Sequence, residues 1–369
     1  MSTPDPTTFC SLLLTWYDAH ARTLPWRGPS VTPYQTLVSE VMLQQTRVDT
    51  VRPRYAAFLD RFPTVEALAR APIDDVLALW SGLGYYSRAR NLHAAANQIV
   101  DAGAFPVDTK GLLALKGVGT YIAGAVGSIA LGLPVPAVDG NLERVLARLV
   151  RSPGGRKDMT VVAQALINGA PTRAGDLNQA MMDLGSGTCT PRTPRCSACP
   201  LQSICGAAQS DDPTAWPERK VRKKAPARVV VAGAVFDDTG RVLVARRPDQ
   251  GLFGGLYELP GQLLPPRARG TAAALTRAWA DRIGGAFTVG ASLGSVRHTL
   301  THMKLTVHVF EARAEPGSQP VGFYDRQVWA HPADLDSLGV STLTRKALSL
   351  VFPEGQASLF TARGRPPAP

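Results

Sequence analysis

Four of the five cysteines in this 369-residue chain fall within seventeen residues, as Cys189, Cys196, Cys199 and Cys205. The spacing C-x6-C-x2-C-x5-C lets four thiolates converge on one metal centre, and the short Cys196–Cys199 loop brings two sulfurs to it at once. Structural zinc and an iron–sulfur cluster both fit. Four-cysteine zinc sites more often use two short knuckles; only one close pair is present, so the spacing tilts toward [4Fe-4S]. Cys10 stands apart and reads as an ordinary thiol. Five cysteines are too few for a disulfide scaffold. Met1 to Ser11 carries Asp5 and two prolines and shows no basic region ahead of an apolar run. The chain is therefore expected to be soluble and intracellular, where disulfides are disfavoured.

The formal net charge is +11. A polyanionic partner follows, with nucleic acid first, although a merely soluble basic protein has the same balance. Gly117 to Val138 has no charged residue, but it contains five glycines and two prolines. Tyr121–Leu133 within it reads as a buried core helix, and no membrane span is expected. Residues 1–188 read as mostly helical, with apolar spacings of three and four in Val65–Ala71, Ile73–Trp80, Arg88–Val100 and Leu142–Val150. After the cysteine loop, 189–205, comes a linker, 206–228. Its basic run, Arg219, Lys220, Arg222, Lys223, Lys224 and Arg228, is either a solvated connector or a strap on phosphate. Residues 229–352 read as an α+β domain. Strands are expected at Val229–Phe236, Arg241–Ala245 and Leu305–Ala312, and a helix at Thr271–Ile283. The turn Asp237–Gly240 should close a hairpin between the first two strands. Residues 353–369 read as a loose tail, and no internal repeat is visible.

Three features carry chemistry. Leu115-Lys116-Gly117-Val118-Gly119 is a tight turn between helical segments, and the next helix should start near Thr120. The free N–H groups at that start suit a DNA phosphate. Glu40 lies in the expected helix Pro33–Thr46, opened by Thr32, Pro33 and Gln35. From the helix alone a surface glutamate is the simpler reading; buried among Leu37, Val41, Met42 and Leu43, it would have a raised pKa suited to a general acid. Asp139, before Gly140-Asn141, reads first as a helix N-cap, or else as a carboxylate kept ionised at a helix N-terminus.

In combination these features resemble the endonuclease III superfamily of DNA glycosylases, over about residues 9–350. The runs Ser39–Thr46, Gly82–Arg90 and Asn178–Gly185 are more specific and resemble the adenine DNA glycosylases of the MutY type. The resemblance implies a mainly α helix-hairpin-helix domain with a [4Fe-4S] loop, followed by an α+β Nudix-like domain. It implies a monomeric base-excision-repair enzyme of the bacterial cytoplasm that acts on duplex DNA. Adenine opposite 8-oxoguanine, or opposite guanine, would be flipped out and hydrolysed. Glu40 would protonate the leaving adenine at N7. Asp139 would stabilise or trap the oxocarbenium-like sugar, with Asn141 orienting the site. Gln179 and Arg27 would contact substrate or DNA, Gln45 would wedge into the stack, and Tyr85 would pack beside 8-oxoguanine. Gly117, Val118 and Gly119 would hold phosphate, and the four clustered cysteines would hold the iron.

Departures from the family patterns refine the expectation. Lyase relatives place a lysine two residues after the last hairpin glycine; here it is Tyr121, which cannot form an imine. A monofunctional glycosylase follows, with Tyr121 free to hydrogen-bond near Asp139. A glycosylase/lyase on oxidised pyrimidines and a non-catalytic DNA sensor are the alternatives; Tyr121 argues against the first, and the filled carboxylate positions against the second. Gly254–Gly261 resembles the start of a Nudix box, but 275–282 offers only Asp281 where several carboxylates hold Mg²⁺. Pyrophosphatase activity is not expected. The recognition turn, Phe-Ser-His in the family, is Leu300-Thr301-His302 here: Thr301 keeps the hydroxyl, while Leu300 keeps apolar bulk without an aromatic ring.

Overall fold

The computed structural model describes residues 3–218, 225–282, 287–314 and 323–352. Most of the basic run at 219–224, the tail 353–369 and the side chain of Asp281 lie outside the described residues. The chain divides into two compact units. One takes the chain up to Arg70 and from Asn91 into the linker; the other takes Ala71–Arg90 and the residues described from 225 on.

The helices are α1 (Pro6–His20), α2 (Pro33–Leu43), α3 (Val48–Arg61), α4 (Val65–Arg70), α5 (Ile73–Leu79), α6 (Ser87–Asp101), α7 (Thr109–Ala114), α8 (Thr120–Ala130), α9 (Gly140–Leu149), α10 (Arg156–Ile167) and α11 (Ala174–Asp183). Capping sets several starts. The Thr32 hydroxyl accepts from the Gln35 amide at 3.2 Å while the Gln35 side chain accepts from the Thr32 amide at 2.9 Å. Asp139 caps α9 by accepting from the Asn141 and Leu142 amides, both at 2.8 Å. Two helices end three residues sooner than expected. Helix α2 stops at Leu43 because Gln45 takes a left-handed φ of 57°, and α8 stops at Ala130, before Gly132 at φ 66°.

Helices α1, α9, α10 and α11 share one core, which includes Phe9, Leu13, Leu146, Leu166 and Leu177, all fully buried. Burying each such side chain contributes roughly 1.5–3 kcal/mol. Cys189, Cys199 and Cys205 pack against the same core. The segment before Asp139 is fixed by close packing: a Cβ on Gly124 of α8 would stand 2.0 Å from the Pro136 carbonyl oxygen. Only glycine allows that approach.

In the second unit, strands β1 (Ala227–Val235), β2 (Val242–Arg246), β3 (Tyr257–Glu258), β4 (Gly261–Leu263), β5 (Phe287–Thr299), β6 (Lys304–Ala314) and β7 (Arg326–Ala330) form two sheets, ordered β4-β1-β6-β5 and β3-β2-β7. The expected hairpin is corrected here. The turn at Asp237–Gly240 forms, but the strands meet in one bridge, Phe236 to Val242, and then part into different sheets. Strand β1 instead runs parallel to β6 over nine residue pairs. Both its faces are covered: Val231 and Val235 pack with helix α12 (Ala272–Arg282), and Ala232 and Ala234 with helix α13 (Thr342–Val351). That explains its unbroken apolar run. Segment 71–90 belongs to this unit through Tyr86, whose hydroxyl donates to the Val340 carbonyl at 2.9 Å, and through Asp74, which pairs with Arg246 and Arg326.

Gly124→Ala should lower stability by about 1–3 kcal/mol, the cost of overpacking against backbone that has no room to yield. Gly140→Ala, where an added methyl meets nothing within 4 Å, should change it little. Thermal melts of the two variants check this.

Candidate active site

A cavity of about 450 Å³ opens in the first unit, and Arg27, Glu40, Tyr121, Asp139, Asn141 and Gln179 all line it. Helix α2 brings Glu40, α8 brings Tyr121, the N-terminus of α9 brings Asp139 and Asn141, and α11 brings Gln179. Glu40 is 4% exposed. The Tyr121 hydroxyl donates to its Oε2 at 2.6 Å. Burial pushes the Glu40 carboxyl up to about 7 and the Asp139 charge adds to this, while the Tyr121 bond and the Arg27 charge hold it down. Tyr121 therefore bonds to Glu40 and not to Asp139, which reaches it only as a charge. Burial and the Glu40 carboxylate hold the Tyr121 phenol well above its ordinary range.

Asp139 Oδ2 also accepts from the Asn141 side-chain amide at 3.2 Å. With the two α9 amides on its other oxygen, the carboxylate is fixed in orientation where the helix dipole favours negative charge. Arg27 lines the cavity, but its guanidinium is bound fork to fork by Asp183, at 2.7 and 2.9 Å. Burial alone would raise the Asp183 carboxyl; bonds from Arg27 and Arg22 outweigh it and leave it low. Arg27 thus meets the cavity as a held cation, paired within the protein.

Gln45 is exposed in the turn after α2, and Gly117 (φ 77°), Val118 and Gly119 form the turn between α7 and α8. A Cβ on Gly117 would stand 2.5 Å from Asn91 Cβ, so that turn needs its glycine for space as well as conformation. In the second unit, Tyr85, Thr301 and His302 line a separate cavity of about 370 Å³. Thr301 and His302 sit exposed at the tip of the β5–β6 hairpin, which the Leu300 amide closes by donating to the Met303 carbonyl at 2.8 Å.

The four clustered cysteines line one small cavity with Arg148, and none forms a disulfide. Among the described residues, no three His, Cys, Asp or Glu side chains close on a single-ion position. Four thiols around one cavity, with no disulfide among them, are a donor set that an iron–sulfur cluster takes. Burial pushes the Cys199 thiol up to about 12 and raises Cys205 as well, so a cationic centre is what would make them thiolates.

Two residues absent from the sequence reading hold this loop. Arg148 Nη1 lies 3.3 Å from Cys189 Sγ and donates to the Thr190 carbonyl at 2.7 Å. Arg144 donates to the Cys189 and Gly185 carbonyls and to Asn141 Oδ1. Helix α9 thus carries Asp139 at its start and grips the cysteine loop one and two turns later. The only trace in the sequence is a pair of arginines four apart in an apolar helix.

The comparisons with known proteins fit this geometry. Residues 38–167 match the HhH-GPD superfamily base excision DNA repair protein, 189–205 the iron-sulfur binding domain of endonuclease III, and 231–350 the NUDIX domain. The adenine DNA glycosylase of Homo sapiens is 35% identical over 403 residues, covering 92% of this chain and 73% of the human one. The chain belongs to the adenine DNA glycosylase family. The adenine DNA glycosylase of Mycolicibacterium smegmatis is 41% identical over 231 residues, 61% of this chain and 78% of that one. Among solved structures, a thermostable thymine-DNA glycosylase aligns at 28% identity with a TM-score of 0.50, covering 55% of this chain and 96% of its own. As a family member the protein is a DNA glycosylase that binds duplex DNA and carries a [4Fe-4S] cluster. Among the described residues no helix is long and apolar enough to cross a membrane.

The raised Glu40 pKa makes a stability prediction. A carboxyl near 7 when folded and near 4.5 when unfolded weakens the fold as pH rises through that window, by up to ~3 kcal/mol. Glu40→Gln is neutral throughout. It should melt higher than the wild type at pH 8, with the gain disappearing by about pH 4.5.

Proposed function

We infer that the enzyme excises adenine mispaired with 8-oxoguanine, or with guanine, in duplex DNA, acting as a monomer and by hydrolysis alone. The observation that carries this reading is one cavity holding a carboxyl near pKa 7, a second carboxylate on a helix N-terminus, and no lysine among its described lining residues. Glycosidic cleavage in the middle of the pH range needs that pair: one group to give a proton, the other to oppose positive charge on the sugar.

The steps follow from the arrangement. Adenine must leave the stack to enter this cavity. Glu40 gives its proton to adenine N7. The bond from C1′ to N9 then breaks, its electron pair leaving with the base. The Asp139 carboxylate, oriented by Asn141 and the α9 amides, stabilises the positive sugar. Water adds to C1′ and loses a proton, leaving an abasic site. Gln179 lies where it can contact the base, and Gln45 stands exposed in a strained turn suited to a wedge. The hairpin amides at Gly117, Val118 and Gly119 serve the phosphate backbone, a contact that positions without reading sequence. The [4Fe-4S] cluster supplies a fixed centre for the loop 189–205; Cys189, Cys196, Cys199 and Cys205 would hold it. The cavity bounded by Tyr85, Thr301 and His302 would receive 8-oxoguanine, with the Thr301 hydroxyl available to its oxidised edge.

Single-turnover base release on duplexes that differ only in the central pair tests this. Adenine should be released opposite 8-oxoguanine and guanine, and not opposite thymine. The strand should break only after alkali, and borohydride should trap no adduct. Release of an oxidised pyrimidine with spontaneous nicking would contradict the reading.

A further inference from the structure

The cavity of the second unit has phenyl-type rings that its recognition loop does not provide. Leu300, Thr301 and His302 contribute an aliphatic group, a hydroxyl and an imidazole there, and no phenyl ring. Beside the buried Tyr86, two less buried phenyl-type rings line the cavity with them: Tyr85, 45% exposed, and Phe253, in the turn between β2 and β3. Both residues have left-handed backbones, Tyr85 at φ 48° and Phe253 at φ 56°. A bulky residue there is a rarity that costs energy and persists only where its surroundings enforce it.

The surroundings of Phe253 do so. A Cβ on Gly254 would lie 2.4 Å from the Asp249 carbonyl oxygen, and Gly255 is itself left-handed at φ 71°. Arg90, in the same segment as Tyr85, donates to the Gly254 carbonyl. On the other side Arg88 places its guanidinium 5.5 Å from the Trp80 ring and 5.4 Å from the Tyr85 ring, and it donates to the Leu83 and Gly84 carbonyls. Each strained aromatic is therefore clamped by an arginine that acts on its turn.

We propose that Phe253 is a specificity-determining residue, lining the 8-oxoguanine cavity together with the polar Thr301–His302 tip and providing the phenyl surface that Leu300 lacks. The proposal rests on the reading of this cavity given above. Planar bases bind by stacking on aromatic faces, and one such face is worth about tenfold or more in affinity; because stacking is base-tolerant, it adds to the 8-oxoguanine to guanine ratio through the Thr301 hydroxyl, which selects the base that enters the cavity. A turn held rigid in a strained backbone presents that face without an ordering cost at binding.

The test is single-turnover adenine release opposite 8-oxoguanine and opposite guanine with the full-length enzyme, its cluster loaded. The 8-oxoguanine to guanine ratio should fall about tenfold in Phe253→Ala. Phe253→Leu, which keeps the apolar bulk and the packing against the sheet, should show a similar loss, and Phe253→Tyr should restore the ratio. A wild-type enzyme that discriminates and a Phe253→Leu variant with an unchanged ratio would overturn the role of Phe253 alone. A wild-type enzyme with no discrimination would overturn both this proposal and the reading of the cavity.

Discussion

The 2.6 Å hydrogen bond between Tyr121 and Glu40 joins helix α2 to helix α8 inside the candidate cavity, and the proposed chemistry depends on it. Burial alone would push the Glu40 carboxyl higher than it stands. The phenol bond and the nearby Arg27 charge draw it back to about 7, where it can both hold and release a proton. The same position answers why this chain should not cleave the strand. A phenol at residue 121 tunes an acid; a lysine there would have offered an amine to the sugar.

Helix α9 is the second constraint. Its N-terminus orients Asp139, and its arginines hold the cysteine loop by backbone carbonyls. The cluster lies away from the reacting atoms in this account, yet Arg144 bonds both to Asn141, which orients Asp139, and to the Cys189 carbonyl. Disorder in the iron–sulfur loop would reach the Asp139 carboxylate through three hydrogen bonds. Structural metal centres contribute folding energy directly, and here that energy is applied next to the active site.

Much of this was legible in the sequence because the signals were local. The Thr32–Gln35 capping box, the glycine hairpin before Thr120 and the cysteine spacing each act over a few residues. Glu40 was ambiguous for a physical reason: its burial depends on α8, far along the chain, so its own helix reads equally well as solvent-exposed. Strand β5 left little trace, being rich in glycine and serine, exposed along one face and broken by bulges near Ser292 and Gly294. The Asp237–Gly240 turn was readable, but the parting of its strands was not, because the partner that captures β1 is β6, some seventy residues later. Segment 71–90 reads as ordinary helix and loop; its place with the second unit depends on Asp74 and Tyr86 finding distant partners.

The most direct measurement of the central claim is the pH dependence of single-turnover adenine release, wild type against Tyr121→Phe. If Glu40 is the proton donor, the wild-type rate falls as pH rises through about 7. Removing the phenol removes a bond that stabilises the carboxylate, so in Tyr121→Phe the fall moves to higher pH. A rate that is level from pH 5 to 9, or a fall that stays in place when Tyr121 is changed, would contradict the account.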